Sequence, residues 1–170
     1  MSVPCLPVVP VQQAPQVLPE QAAAVAAAGA VAEPQDRAAR LIQRSTLPSG
    51  VRVVTESVPE ARSASVGVYV GVGGRDEPDP LAGASHFLEH LLFKGTAARS
   101  ATDISQSVDR VGGDINAYTS KEYTAYYCRV PARVVDLGIE LLGDVLTAPA
   151  LRDNDVDGER QVILDELAVD

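Results

Sequence analysis

Apolar and polar residues alternate with a period of two in some stretches of this chain and recur at helical spacing in others. "VRVVTE", residues 51–56, is rich in β-branched residues and follows Pro48-Ser49-Gly50, which predicts a turn and then a strand. "SASVGVYVGVG" alternates small and apolar residues and predicts a second strand over 63–72, followed by a loop in "GGRDEPDP". Pro80 suits the first turn of a helix, where its missing N–H does no harm, and predicts a helix through "HFLEH" that stops by Gly95. Ile104, Val108 and Val111 fall at helical spacing ahead of Gly112-Gly113, a helix end. "DINAYTS" and "EYTAYYCRV" alternate on either side of a short polar link, the pattern of an antiparallel hairpin. Pro131 then opens a long helix to about Leu146, with Val134, Leu137, Leu141, Leu142 and Val145 on one face, and a last helix starts near Asp153. The order ββααββαα contains no repeated βαβ unit. It predicts an α+β fold, a mainly antiparallel sheet with helices packed on one face.

Residues 1–40 change this picture. They are rich in Pro, Ala, Gln and Val, without aromatic residues or a sustained period. They read as a low-complexity, disordered tail with room for a short helix over 20–32. Order is expected from near Leu41, and 41–170 as one domain. Within the tail, "QAAAVAAAGAVAEP" ends in Ala30-Val31-Ala32, which imitates a signal cleavage site, but the first basic residue is Arg37. Without a positive n-region the expectation is a cytoplasmic protein rather than a secreted one. No apolar run reaches the roughly 20 residues that span a bilayer, so no membrane partner is expected.

Of the 170 residues, 46% are hydrophobic and 22% charged, a globular balance. Aromatic residues are only 4% and Trp is absent, so the core must be built from Val, Leu, Ile and Ala. A net charge of −9 argues against nucleic-acid binding. Cys5 and Cys128 form no disulfide framework or zinc-ribbon spacing.

The chemistry concentrates in "HFLEH". The chain has two histidines, His86 and His90, and both lie there. Residues i and i+4 share a helix face, so two imidazoles can address one metal ion, with Glu89 beside them. Two histidines placed at random fall four apart about 1% of the time, and an intervening glutamate at this position lowers that to roughly one in a thousand. A buried histidine pair without metal is the competing reading. Zn²⁺ in catalytic sites takes three protein ligands, often two His and a carboxylate, plus a water, and H-x-x-E-H is the inverted zincin motif. With no third histidine, the third ligand must come from elsewhere. "ERQVILDELAVD" offers Glu159 and Glu166, seven apart and on one helix face, with Asp165 as a competitor.

The blocks "LPSGVRVVTE", "GASHFLEHLLFKGT", "VGGDINAYTSKEYTAYY" and "ERQVILDE" occur in that order over about residues 45–170. In them the chain resembles the M16 (pitrilysin- or insulinase-type) metallopeptidases, and more closely their processing-peptidase-like bacterial branch. In that family a glutamate ligand follows the inverted motif by about 76 residues, the interval from His90 to Glu166. The resemblance implies a zinc metalloendopeptidase, with His86, His90 and Glu166 as Zn²⁺ ligands and Glu89 as the general base. It makes Glu159 an outer carboxylate that orients a ligand. It also puts Asn116 and Ala117 on an edge strand that binds peptide by strand addition, although Asn116 alone reads equally well as a turn residue. The implied partners are a peptide or small protein substrate and a homologous second half or homo-oligomer. Family members of this branch enclose a chamber between two such halves. This chain would be the N-terminal part of the first, needing the second for activity, with apolar surface uncovered on its sheet and on the helix after Pro131. S-ribosylhomocysteine lyases share the inverted motif, but their third ligand is a cysteine. Cys128 lies only 38 residues after His90, in a predicted strand.

Overall fold

The computed structural model describes residues 42–168. The tail expected over 1–40, with Cys5, lies outside them. The described chain runs β1 (Ile42–Thr46), β2 (Arg52–Glu56), β3 (Ser63–Val70), α1 (Ala84–Leu92), α2 (Ala101–Asp109), β4 (Asp114–Thr119), β5 (Thr124–Pro131), α3 (Val135–Thr147) and α4 (Asp153–Leu167). It forms two antiparallel sheets, a β1–β2 hairpin and a three-stranded sheet in the order β3-β5-β4. The α+β reading with a mainly antiparallel sheet and helices on one face is borne out.

β5 shows why the helices gather on one side. Tyr126, Cys128 and Val130 point one way and are buried, and register sets Ile115 and Val66 beside Cys128, and Ala117 beside Tyr126. Leu92 of α1, Ile104 and Val108 of α2, and Leu141, Leu142 and Val145 of α3 close over this face to make the core. The opposite face stays open. Tyr69 is 70% exposed and Tyr118 41%. Tyr118 and Tyr123 share a hydrogen bond of 2.9 Å between their hydroxyls, and Tyr69 and Tyr127 flank them with ring centroids 5.9 and 6.4 Å away.

Several sequence expectations need correction. β1 was not predicted, because "IQRST" has a single apolar residue and its strand is exposed throughout. β3 ends at Val70 rather than 72, because the chain then turns to dock on the β4–β5 turn. The Gly74 and Arg75 amides donate to the Ser120 and Lys121 carbonyls at 3.1 and 2.8 Å. Gly73 is required there, since a Cβ would lie 2.4 Å from the Ser120 carbonyl oxygen. Pro80 does not open the helix that bears the histidines. It sits in a 3₁₀ turn, Asp79–Leu81, and the helix begins after Gly83, whose φ of 91° is left-handed. Pro131 likewise closes β5, and a 3₁₀ turn, Ala132–Val134, precedes α3. The apolar face of α3 is covered: Leu141, Leu142 and Val145 are almost fully buried, and the large exposed apolar residues lie on the strands, on α1 and α4, and in connections such as those of Val58, Val72 and Leu151. Among the described residues no helix is long and apolar enough to cross a membrane.

Candidate metal centre

The helix that carries both histidines is started by a residue outside it. Gly83, at its N-cap, has no side chain to satisfy the first amides, so Glu77 does this from the preceding loop. Its two oxygens accept from the Gly83 and Ser85 amides, each at 2.6 Å. A carboxylate at a helix N-terminus also meets the positive end of the helix dipole. Hydrogen bonds from the Ser85 side chain, the Ser85 amide and the Gly83 amide hold the Glu77 carboxyl below its usual range, against a smaller opposing effect of burial. Leu91 and Leu92 bury the inner side of α1, which fixes its rotation. His86 and His90 then project together, with ring centroids 4.7 Å apart and planes at 89°.

α4 packs against α1 through a narrow buried stripe, Glu159 and Ile163, while the neighbouring Val162 is 43% exposed. Glu166 lies two turns beyond Glu159 on the same face. His86 Nε2 and His90 Nε2 are 3.1 Å apart, and Glu166 Oε2 is 3.7 Å from each. The centre of a triangle with these sides lies about 2.0 Å from every corner, the length of a zinc–imidazole or zinc–carboxylate bond. Two imidazoles and one carboxylate converging in this way fit a divalent zinc ion in donor type, number and spacing, and these are the residues that could hold one. His86 and Glu166 have side chains 39% and 49% exposed, so the cluster is open to solvent.

Glu159 is placed differently. It is 5% exposed, and its Oε1 meets His90 Nδ1 at 2.8 Å, the nitrogen turned away from the other donors. A carboxylate at Nδ1 favours the tautomer in which Nδ1–H donates, which leaves Nε2 to face a metal. That contact removes Glu159 from competition as a ligand. The other oxygen, Oε2, takes the Lys94 ammonium at 2.5 Å. Burial alone would push the Glu159 carboxyl up, but the hydrogen bonds and charges of Lys94 and His90 outweigh it and hold it below its usual range. Asp165 is outside the cluster and accepts from Gln161 at 2.7 Å.

Glu89 is half-buried between α1 and β4. Its Oε2 accepts from Thr119 Oγ1 at 2.5 Å. Burial, and then the charge of Glu89, push the neighbouring Tyr126 phenol up to about 12. Asn116 and Ala117 are not drawn into the histidine cluster. They lie on β4, which pairs only with β5 among the described strands, and the Ala117 amide donates to Asn116 Oδ1 at 2.8 Å. Cys128 is fully buried in the core, and burial, then the nearby charge of Asp114, push its thiol up. It cannot serve as a third ligand, which removes the lyase reading.

Sequence reasoning missed three residues here. Lys94 had a legible signal: it stands one helical turn after His90, in line with it. Thr119 had a weaker one, the period of two that sets it with Ile115 and Ala117 on the inner side of β4. Glu77 had none, because it reaches the helix from a loop.

The inverted motif on α1, a glutamate pair two turns apart on α4 and the α+β layer together point to one class of protein, the metallohydrolases. A family model described as Insulinase (Peptidase family M16) matches residues 52–169. The chain belongs to that family. An uncharacterized zinc protease of Mycobacterium leprae is 51% identical over 143 residues, covering 83% of this chain and 32% of that protein. A probable mitochondrial-processing peptidase subunit beta of Arabidopsis thaliana is 42% identical over 123 residues, covering 72% and 23%. A crystal structure of a protease from Helicobacter pylori superposes with a TM-score of 0.70 at 32% identity, covering 74% of this chain and 30% of that one. The chain therefore spans between about a quarter and a third of the length of these relatives. The resemblance to the processing-peptidase-like bacterial branch is borne out.

Proposed function

We propose that this chain carries the zinc site of a metalloendopeptidase, with His86, His90 and Glu166 as ligands and Glu89 as the general base. The observation that supports it most is the spacing of the three donor atoms, 3.1, 3.7 and 3.7 Å, around a point at zinc-bond distance. Zinc bound there supplies a Lewis acid that polarises a scissile carbonyl and lowers the pKa of a water to about 7. Glu89 would be the residue that accepts a proton from the attacking water and returns it to the leaving amine. Thr119 donates to Glu89 Oε2 and so sets the direction of the carboxylate. Glu159 holds His90 through Nδ1. Asn116 and Ala117 lie on the strand that carries Thr119, and its outer edge, unpaired among the described strands, would offer main-chain groups to an extended peptide. The substrate is a peptide or small protein, and a homologous second half or a second copy completes the chamber.

Metal analysis and a peptide assay on two variants test the division of roles. Glu89→Gln is expected to retain zinc and lose hydrolysis, and His86→Ala to lose both. Equal zinc loss in the two would make Glu89 a ligand and overturn the assignment.

A further inference from the structure

The Glu159 carboxylate is shared between two partners on α1 and its end, and only one of them is a metal-site residue. Oε1 meets His90 Nδ1 at 2.8 Å, while Oε2 meets Lys94 Nζ at 2.5 Å. The glutamate side chain is 6% exposed and the lysine 39%. A buried carboxylate needs both oxygens satisfied. Among the described residues Lys94 and His90 are the only side chains that pair with Glu159. Remove the ammonium and Oε2 is stranded, so the carboxylate gains by turning toward solvent and releasing His90.

The same contact joins two elements. Lys94 follows the last turn of α1, its amide donating to the Leu91 carbonyl at 3.1 Å. Glu159 belongs to α4, and Glu166 rides on the same face of that helix. The Lys94–Glu159 pair therefore ties the helix with the histidines to the helix with the third donor, and does so beside the donors themselves.

We infer that Lys94 is a positioning residue for the metal centre: through Glu159 it fixes the ring of His90 and the approach of Glu166. The inference rests on the proposed zinc site, and the experiment separates the two. Zinc affinity is measured on the chain by competition with a chromophoric chelator, for the parent, Lys94→Met and Lys94→Arg. The His90 tautomer is read in the metal-free chain by long-range ¹H–¹⁵N NMR. The Met variant is expected to bind zinc about ten-fold more weakly, the lower end of what outer hydrogen-bond partners of a ligand contribute. It is also expected to lose the single Nδ1–H tautomer, and Arg to restore both. In a Glu159→Ala background, Lys94→Met should add no further loss of affinity. An ion pair serving only stability would lower the melting temperature and leave affinity and tautomer alone. If Lys94→Met does not give a native NMR spectrum, Lys94→Gln is measured in its place. A parent chain that binds no zinc removes the zinc reading, and the tautomer comparison then decides on Lys94 by itself. Unchanged affinity and tautomer in the neutral variant overturn the inference.

Discussion

The site works through single atoms, and its second row of residues is where the structure adds most. His86, His90 and Glu89 were legible because their spacing on a helix is itself the chemistry. Glu166 was legible only through the family interval, since spacing left Glu159 and Asp165 open. What separates Glu166 from Glu159 is which nitrogen of His90 each faces, while Asp165 accepts from Gln161 instead, and no sequence pattern encodes that. Thr119 is a similar case, a hydroxyl that becomes functional only once β4 is laid beside α1. A hydrogen bond to a charged group is worth about 1.5–3 kcal/mol. Thr119→Val keeps the shape and removes the donor at 2.5 Å from Glu89. In a preparation that cleaves peptide, kcat should fall roughly ten-fold or more while KM and zinc content hold, and Thr119→Ser should recover most of it. A Val variant with full kcat would leave the hydroxyl with no part in orienting Glu89.

Among the elements, periodicity served well where one face is buried and poorly where none is. The β4–β5 hairpin and α3 follow their apolar patterns because those residues make the core. β1 is exposed throughout and left no pattern to read. Proline misled twice for one reason: it marks where a helix is permitted to start, and here it starts 3₁₀ turns that lead into helices. The true start of α1 depends on Glu77, which the sequence sets six residues before Gly83. Glu77→Gln weakens a charged cap to a neutral one and should cost about 1 kcal/mol in urea unfolding at neutral pH, since the carboxylate is partly exposed. The pH dependence has a definite sign. The folded-state pKa of Glu77 lies below its ordinary 4.5. Its stabilisation is therefore complete above about 4.5 and is lost as pH falls through the lower folded value. The stability gap between parent and variant should shrink on moving from pH 7 to pH 3. A gap of the same size at both would mean that the charge on Glu77 contributes nothing to the cap.

At the scale of the whole molecule the candidate metal centre has a floor and one wall. The floor is α1 and α4, and the wall is β4. Nothing among the described residues stands opposite, and the side chains of His86 and Glu166 remain 39% and 49% exposed. Hydrolysis needs more than an acidified water. The scissile bond must be held in a near-attack geometry, and such positioning is worth roughly 7–11 kcal/mol in the best intramolecular cases. An open site also leaves water free to weaken the interactions that stabilise developing charge. A peptide added along β4 would be held by main-chain bonds on one side only. Chain 1–170 alone is therefore expected to bind zinc yet turn over a quenched-fluorescence peptide far more slowly than the same chain mixed with a separately expressed homologous half. The contrast between the converging donors and the open side opposite them among the described residues is what the assay reads. Chelator-sensitive turnover by the isolated chain at the rate of the completed pair would overturn this, and would locate the whole substrate clamp on β4 and its neighbours.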